Sequence, residues 1–532
     1  MTTHANRWNR TEVLLVVALL VLAAVARFAA LGDSPRGLFR DEWEKGYTAL
    51  ELWRTGRHGV PGSEGLEISR ALPLFIEIYQ GHDRTSAIYQ YATAPIVGIF
   101  GLNAFTTRFA AAAAGWLTCL FVWLLARRAI SWQAGIGALA SAAFHPTGIL
   151  FSRWAQQGSM AIMFAVLGAW LLFEAISNAR TQRRAIVTAA AMAFGISAYA
   201  YDPARLVVPL MIAAFVVTQW PSIKQHRRAF LPAAIVFAAM WIPLVIYTVT
   251  MGSARLARVS SGLSAFQIIS NYCAHFTPWF FMTQGDVNPR HGGVERLGFV
   301  AWLTGIYMVI AVIALVAQYR RANAHRIRSG TFLFLWLAAG PTAAALTNEG
   351  IPHALRACLM IPATSLLAGY AVDWIACSFK RGWFLAAAIT LSVGDGMLGG
   401  LMIWAKQLSP SADWNTGLVG EIRRDVGSGR HVFLSAQIPY ANYAALFAEA
   451  TDPLKYHEEN LGALKTRLVI DMPALTEGDV QILPLAGNPY STPILETISS
   501  HIAIERRNGE TVCRIDDGGA ELPYPPARGR LR

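Results

Sequence analysis

The residues best suited to chemistry are Asp41 and Glu42, adjacent carboxylates in the run Leu38-Phe39-Arg40-Asp41-Glu42-Trp43-Glu44. A carboxylate at a membrane surface can take a proton from a hydroxyl or amine nucleophile. Asp41 is the candidate base and Glu42 its helper or orienter. A second reading has both acids favoured by the positive end of a helix that starts there. Four other stretches pair ionisable or amide groups with Gly or Pro: 152–157 (Ser-Arg-Trp-Ala-Gln-Gln), 201–205 (Tyr-Asp-Pro-Ala-Arg), 284–292 (Gln-Gly-Asp-Val-Asn-Pro-Arg-His-Gly) and 348–356 (Asn-Glu-Gly-Ile-Pro-His-Ala-Leu-Arg). Arg290, His291, His353 and Arg356 suit a phosphate, since guanidinium forks match its oxygens. Snorkelling to lipid headgroups would use the same residue types. Asp286, Glu349, His291 and His353 are of the types a divalent cation takes. Their spacing is not that of a local ligand motif, so a divalent metal is an open option that is not predicted, and the cofactor stays unassigned. Asp202 and Arg205 are placed to pair with each other.

The elements that must position these groups are membrane spans. The chain has 532 residues, 54% apolar and only 15% charged, against about 25% charged in ordinary soluble proteins. Apolar runs of spanning length recur at 12–31, 105–126, 132–151, 158–177, 184–200, 205–220, 230–250, 297–317, 331–347, 356–377 and 383–404. They predict a polytopic α-helical membrane protein of about 11 transmembrane helices. The formal net charge of +12 does not point to nucleic acid, because the bases fall in short clusters between apolar runs. Those clusters are Arg7 and Arg10; Arg127 and Arg128; Arg180, Arg183 and Arg184; Lys224, Arg227 and Arg228; Arg320, Arg321, Arg326 and Arg328; and Lys380 and Arg381. They occupy every second loop, which assigns those loops and the N-terminus to the cytoplasm. The loops 32–104, 152–157, 201–204, 251–296 and 348–355 then face outward. The opening apolar run imitates a signal peptide at Ala24-Val25-Ala26, but it continues to Leu31 and is read as an uncleaved anchor.

The uncharged stretch 86–101 is short for a span, since 16 helical residues reach only ~24 Å against a ~30 Å hydrocarbon layer. Counting it as a span would also invert the charge pattern of every later loop. It is expected to lie flat in the outer interface with Tyr89 and Tyr91 at headgroup level. Residues 41–57, with Trp43, Tyr47, Leu50 and Trp53 at helical spacing, are expected to form a second interfacial helix.

A transmembrane domain over 1–404 is thus followed by a small soluble α/β domain over 405–532. The latter holds more acids (16) than bases (13). Strands are expected at 431–435, 467–471, 481–485, 502–506 and 511–515, the last two joined at Asn508-Gly509. A helix is expected at 440–450, and the final dozen residues are expected to be a disordered tail. The cysteines (Cys119, Cys273, Cys358, Cys377, Cys513) lack CxxC spacing and read as small core residues. Cys273 and Cys513 would share the outer side, where a disulfide could form, though nothing else supports one.

With these residues in view, a family resemblance emerges. Ala26-Arg27-Phe28 followed by Phe39-Arg40-Asp41-Glu42 resembles the start of the integral-membrane glycosyltransferases of the C-type fold, family 39-like: relatives of the protein O-mannosyltransferases and of the lipid A aminoarabinose transferase. The likeness runs through 89–108, Ser152-Arg153, Gly285-Asp286, Arg290-His291 and 352–356, and so covers about 1–377. It implies a sugar donor carried on polyprenyl phosphate, an acidic centre at Asp41 with Glu42 beside it, and inverting transfer. The acceptor would be a protein, lipid or glycan. Many relatives carry a second carboxylate in the second outer loop. Here that loop offers Gln156 and Gln157, amides that can orient a substrate but cannot share a base's work. Arg153 and Gln156 join Asp286, Arg290, His291, His353 and Arg356 as candidate substrate or donor-phosphate contacts. The competing classes are a transporter or flippase, which would put charge at mid-bilayer on broken helices, and a membrane-anchored sensor, which would not need so many spans. Asp373 and Asp395 are the main acids inside spans. The expected location is the inner (plasma) membrane, with the 405–532 domain outside.

Overall fold

A computed structural model describes residues 10–62, 65–78, 83–177, 183–252, 262–286, 288, 290–292, 294, 296–348, 350–379, 382–408, 418–435, 440–469, 479–484, 501–507, 510–515 and 522–523. Among them, seven helices are long and apolar enough to cross a membrane: Arg10–Phe28, Ala104–Ala129, Gly158–Ser177, Ala204–Thr250, Trp302–Arg320, Met360–Phe379 and Gly382–Gln407. A bent pair raises the number to eight. All eleven expected segments are largely helical, so the differing count has local causes. The expected spans 205–220 and 230–250 are one 47-residue helix, about 70 Å long at 1.5 Å per residue and more than twice the hydrocarbon thickness. Its backbone leaves helical geometry at His226, inside the basic cluster Lys224–Arg228, where two spans would meet. Helices Arg183–Ala200 and Ala324–Ala339 have 18 and 16 residues and begin in basic turns.

The chain forms two compact units, Met1–Ala29 with Ala111–Lys406, and Ala30–Ala110 with Gln407–Arg532. In the first, helices Trp132–Ala143 and Pro146–Ser152 form the bent pair, at 58°. Pro146 disfavours helix at the residue before it and donates no N–H. His145 caps the second piece by accepting from Gly148 N at 3.2 Å. The carbonyls freed at the break find a partner in buried Arg27, whose Nη1 donates to Ala143 O at 2.8 Å and Nη2 to Ala142 O at 3.0 Å. A broken span survives in a bilayer only where such groups are satisfied. The acids inside spans are satisfied too. Asp373 pairs with Arg326 and accepts from Ser131 Oγ, and Asp395 accepts from Leu303 N at 2.6 Å.

The second unit begins with the turn 30–39 and helix Arg40–Thr55. Two hairpins follow, β1 (Gly59–Gly62) with β2 (Gly65–Ile68) and β3 (Phe75–Ile78) with β4 (Asp83–Ser86), and then helix Ile88–Phe100. The distal segment adds β5 (His431–Ser435), β6 (Arg467–Val469), β7 (Asp479–Pro484), β8 (His501–Arg507), β9 (Glu510–Ile515) and β10 (Leu522–Pro523). They form a six-stranded sheet ordered β10-β9-β8-β7-β5-β6. Strand β5 runs parallel to β6 and β7, and the rest is antiparallel. The expected strands and the helix (observed as Ala441–Glu449) are present. Asn508-Gly509 and most of the tail lie outside the described residues.

Part of the aromatic stripe of helix Arg40–Thr55 packs on protein, while Trp53 stays 46% exposed. Trp43 and Tyr47 are fully buried in one core with Ile422, Val432, Leu434, Leu446, Phe447, Tyr456, Val480 and Ile482. At Gly46 a Cβ would meet the Phe447 ring at 2.7 Å and Thr107 Oγ1 at 2.6 Å, so only glycine allows this approach. Each buried aromatic removes 150–250 Å² from water, worth ~4–6 kcal/mol at ~25 cal/mol per Å² as an upper bound. Tyr89, expected at headgroup level, is also buried. Its hydroxyl donates to Thr107 O at 2.9 Å, and that of Tyr91 to Pro73 O at 2.9 Å. A helix with an aromatic stripe reads the same whether the stripe meets lipid or a protein core.

Candidate active site

The two adjacent carboxylates have different surroundings. Phe39 is the N-cap of helix Arg40–Thr55, so Asp41 and Glu42 fall at its second and third positions. Glu42 reaches back and accepts from Phe39 N at 2.9 Å, the acidic half of a capping box. It also accepts from Arg108, Nε to Oε1 at 2.8 Å and Nη2 to Oε2 at 2.9 Å, and both side chains are fully buried. The same guanidinium donates to the carbonyls of Leu31, Pro35 and Gly37. Arg108 therefore ties the turn before the helix to the helix itself, and Glu42 is committed to that tie. Asp41 is not. Its Oδ1 is buried and accepts no hydrogen bond among the described residues, and the Arg40 Nε lies 3.9 Å away. At the second helical position it sits in the favourable field of the helix N-terminus. Glu42 is thus held in the fold, whereas Asp41 Oδ1 stays without a hydrogen bond among the described residues.

Further along this helix, buried Glu51 accepts from two imidazoles. His58 Nδ1 lies 2.8 Å from Oε2 and His457 Nε2 lies 3.0 Å from Oε1. His58 Nε2 meets Glu77 O at 2.9 Å. Burial opposes charge on both partners. The mutual attraction outweighs it, lowering the Glu51 pKa and raising that of His58.

In the other unit, segments 286–291 and 353–356 bring Asp286, His291 and His353 together. Asp286 Oδ1 accepts from Asn288 N at 2.7 Å and Oδ2 from Ala354 N at 2.6 Å. Oδ2 lies 3.4 Å from His291 Nδ1 and 3.6 Å from His353 Nδ1. The two imidazoles stack at 4.9 Å, and Trp154 stacks on the far partner His291 at 6.2 Å. His353 N donates to His275 Nε2 at 2.9 Å. Gly292 passes so close that a Cβ would come within 2.9 Å of Asp286 N. Burial pushes the Asp286 carboxyl up, and it pushes the His353 imidazole well below its usual range.

The remaining sequence candidates fall as follows. Arg290 is buried and its N and Nε donate to Asn288 Oδ1 at 3.0 and 3.4 Å. Arg356 follows the cluster, its N donating to His353 Nδ1 at 3.4 Å. Arg153 is fully buried and spends its guanidinium on Ala26, Arg27 and Ala29 carbonyls at 2.9–3.3 Å, neutralising the negative end of the first span. Gln156 Oε1 accepts weakly from Gly158 N at 3.4 Å, at the start of the next helix. Arg205 and Asp202 pair as expected, at 2.7 Å. Glu349, Val287 and Pro289 lie outside the described residues, and so does the Cys513 side chain of the suggested disulfide. Sequence reasoning did not assign roles to Arg27 and Arg108. Their signal was available, because an arginine at the edge of an apolar run must find buried acceptors.

Known proteins share part of the sequence and the fold. Residues 86–247 match the family model described as dolichyl-phosphate-mannose-protein mannosyltransferase. The fold is similar to that of ArnT from Cupriavidus metallidurans in the apo state, at TM-score 0.55 and 12% identity, covering 95% of this chain and 98% of that one. The same protein bound to undecaprenyl phosphate aligns at TM-score 0.52 and 12% identity, covering 94% and 97%. The oligosaccharyltransferase of Archaeoglobus fulgidus, tethered with an acceptor peptide, aligns at TM-score 0.50 and 12% identity, covering 87% of this chain and 64% of that one. No curated protein sequence matches significantly. The matched segment and the shared fold agree with the resemblance read from the sequence: residues 86–247 are similar to that mannosyltransferase family, and the chain as a whole has a fold similar to that of ArnT.

Proposed function

We propose that the protein transfers a sugar from a polyprenyl-phosphate donor to an acceptor hydroxyl at the extracytoplasmic face of the plasma membrane, with inversion, and that Asp41 is the base. The acceptor oxygen forms a bond to the anomeric carbon as the bond from that carbon to the phosphate oxygen breaks. The acceptor proton passes to Asp41, and polyprenyl phosphate leaves. A phosphate leaving group needs no general acid, only positive charge to stabilise it. An acceptor on the face opposite the phosphate gives inversion in a single displacement. The outward orientation rests on the alternation of basic loops.

The observation that carries this reading is the division of labour between the two acids. Arg108 and the Phe39 N–H occupy Glu42, while Asp41 keeps an oxygen without a hydrogen bond. The pairing of Asp373 and Asp395 with local groups weighs against a transporter, whose in-span acids would serve a substrate. The test is Asp41→Asn in membranes with a panel of radiolabelled polyprenyl-phosphate sugars. Transfer by wild type that disappears in the variant supports the proposal. Full transfer by Asp41→Asn removes Asp41 as base, and no transfer by wild type from any donor removes the proposed activity.

A further inference from the structure

We propose that Asp286, His291 and His353 form a binding site for a divalent metal ion of the zinc class, which cross-links the 286–291 segment to the 353 loop. One donor atom from each residue lies within 4.8 Å of the others. The two measured edges from Asp286 Oδ2, 3.4 Å to His291 Nδ1 and 3.6 Å to His353 Nδ1, compare well with coordination geometry. Zinc bonds of 2.0–2.2 Å to nitrogen and oxygen give a tetrahedral edge of about 3.4 Å. The same edges are poor hydrogen bonds, at or beyond the useful N–H···O range.

Arg356 N lies 3.4 Å from His353 Nδ1, at the outer limit of a hydrogen bond, so a cation would take the single in-plane lone pair of that nitrogen in exchange for only a weak contact.

The surroundings fit a metal ligand set as well. Carboxylate ligands in metal sites are themselves hydrogen-bonded, and both Asp286 oxygens accept backbone N–H groups. His353 is anchored through its own N–H to His275, whose Nδ1 meets Asn271 O at 2.8 Å. Rings of Trp154 and Phe151 pack against His291, holding its orientation. Three protein ligands leave one tetrahedral position for an exogenous oxygen. The site needs no assumption about the sugar or the acceptor.

The experiment uses the full-length protein in detergent, stripped with chelator and then titrated with zinc chloride. Expected results are about one zinc per chain by elemental analysis after dialysis, and visible d–d absorption bands of tetrahedral geometry when cobalt(II) is supplied instead. His291→Ala and His353→Gln should each weaken zinc binding at least ~100-fold, while His457→Ala should leave it unchanged. The cobalt spectrum of wild type needs no variant to fold. Absence of stoichiometric binding at micromolar zinc, octahedral cobalt bands, or unchanged affinity in both histidine variants would overturn the proposal.

Discussion

Glu42→Gln and Asp41→Asn, adjacent and chemically identical changes, should produce opposite phenotypes. In Glu42→Gln the Arg108 guanidinium stays buried, still bonded to three carbonyls, but loses its counter-charge and its two charge-assisted hydrogen bonds at 2.8 and 2.9 Å. Breaking a fully buried pair by removing one charge costs ~3–5 kcal/mol. Weakening the bond from Phe39 N adds about 1 kcal/mol as a capping loss. A loss of ~4–6 kcal/mol is comparable with the whole stability of many domains. The variant should therefore unfold at a markedly lower temperature in detergent. Replacing both partners, Glu42→Gln with Arg108→Met, should recover part of the loss because no unpaired charge remains. Asp41→Asn changes a side chain whose Oδ1 makes no hydrogen bond. Its unfolding temperature should stay near wild type while transfer falls ~10²–10⁴-fold, the usual contribution of a general base. The assays are thermal unfolding of purified protein and transfer from radiolabelled donor. If Glu42→Gln matched wild type in stability, or if Asp41→Asn lost stability as severely, the division of labour would be refuted.

Further outcomes follow from other contacts. Arg27→Met should remove the donor to the Ala143 carbonyl at the broken span, costing ~1–3 kcal/mol, readable as faster proteolysis at 142–148. Gly46→Leu should separate helix Arg40–Thr55 from the Phe447 face and abolish transfer with the first unit still folded, seen as loss of protection from hydrogen exchange across 418–450. The Glu51–His58 pair makes stability pH-dependent. Because the folded His58 pKa is raised, its contribution is full below the unfolded value of ~6.5 and is lost as pH rises through the folded value. The lowered Glu51 pKa adds stability present above ~4.5 and lost as pH falls through the folded value. Unfolding temperature should therefore decline on the alkaline side in wild type, and His58→Gln should flatten that limb.

Much of the architecture was legible because lipid imposes a strict rule on sequence. Apolar runs must be helical, and every expected span is. The count was less legible, since a chain turning at His226 within one long helix and a chain turning in a loop give similar hydropathy. The acidic pair Asp41 and Glu42 stood out in the sequence by its position after the first span. Their separation into a structural and an available acid depends on Arg108, 66 residues away from Glu42, and no local pattern encodes that choice. Asp286, His291 and His353 were grouped by residue type in the sequence, but their approach to one another was not legible, because they arrive on two loops. Helix Arg40–Thr55 was recognised as amphipathic, but the core that covers Trp43 and Tyr47 was not foreseen: aromatic residues at helical spacing specify burial, not what provides it. The positions of β5–β9 followed from short alternating runs, whereas the two hairpins between the helices at 40–55 and 88–100 are only four residues per strand and carry little periodicity.

The core beneath the proposed base also sets an order of assembly. Tyr47 donates its hydroxyl to Thr451 O, 404 residues later in the chain. At ~5–20 residues per second of synthesis, ~20–80 s pass between the two. Throughout that interval Trp43 and Tyr47 lack the side chains that bury them, and the helix bearing Asp41 has no floor. The protein cannot hold its reactive end in place until its last quarter has been made, so a nascent or C-terminally clipped chain is silent by construction.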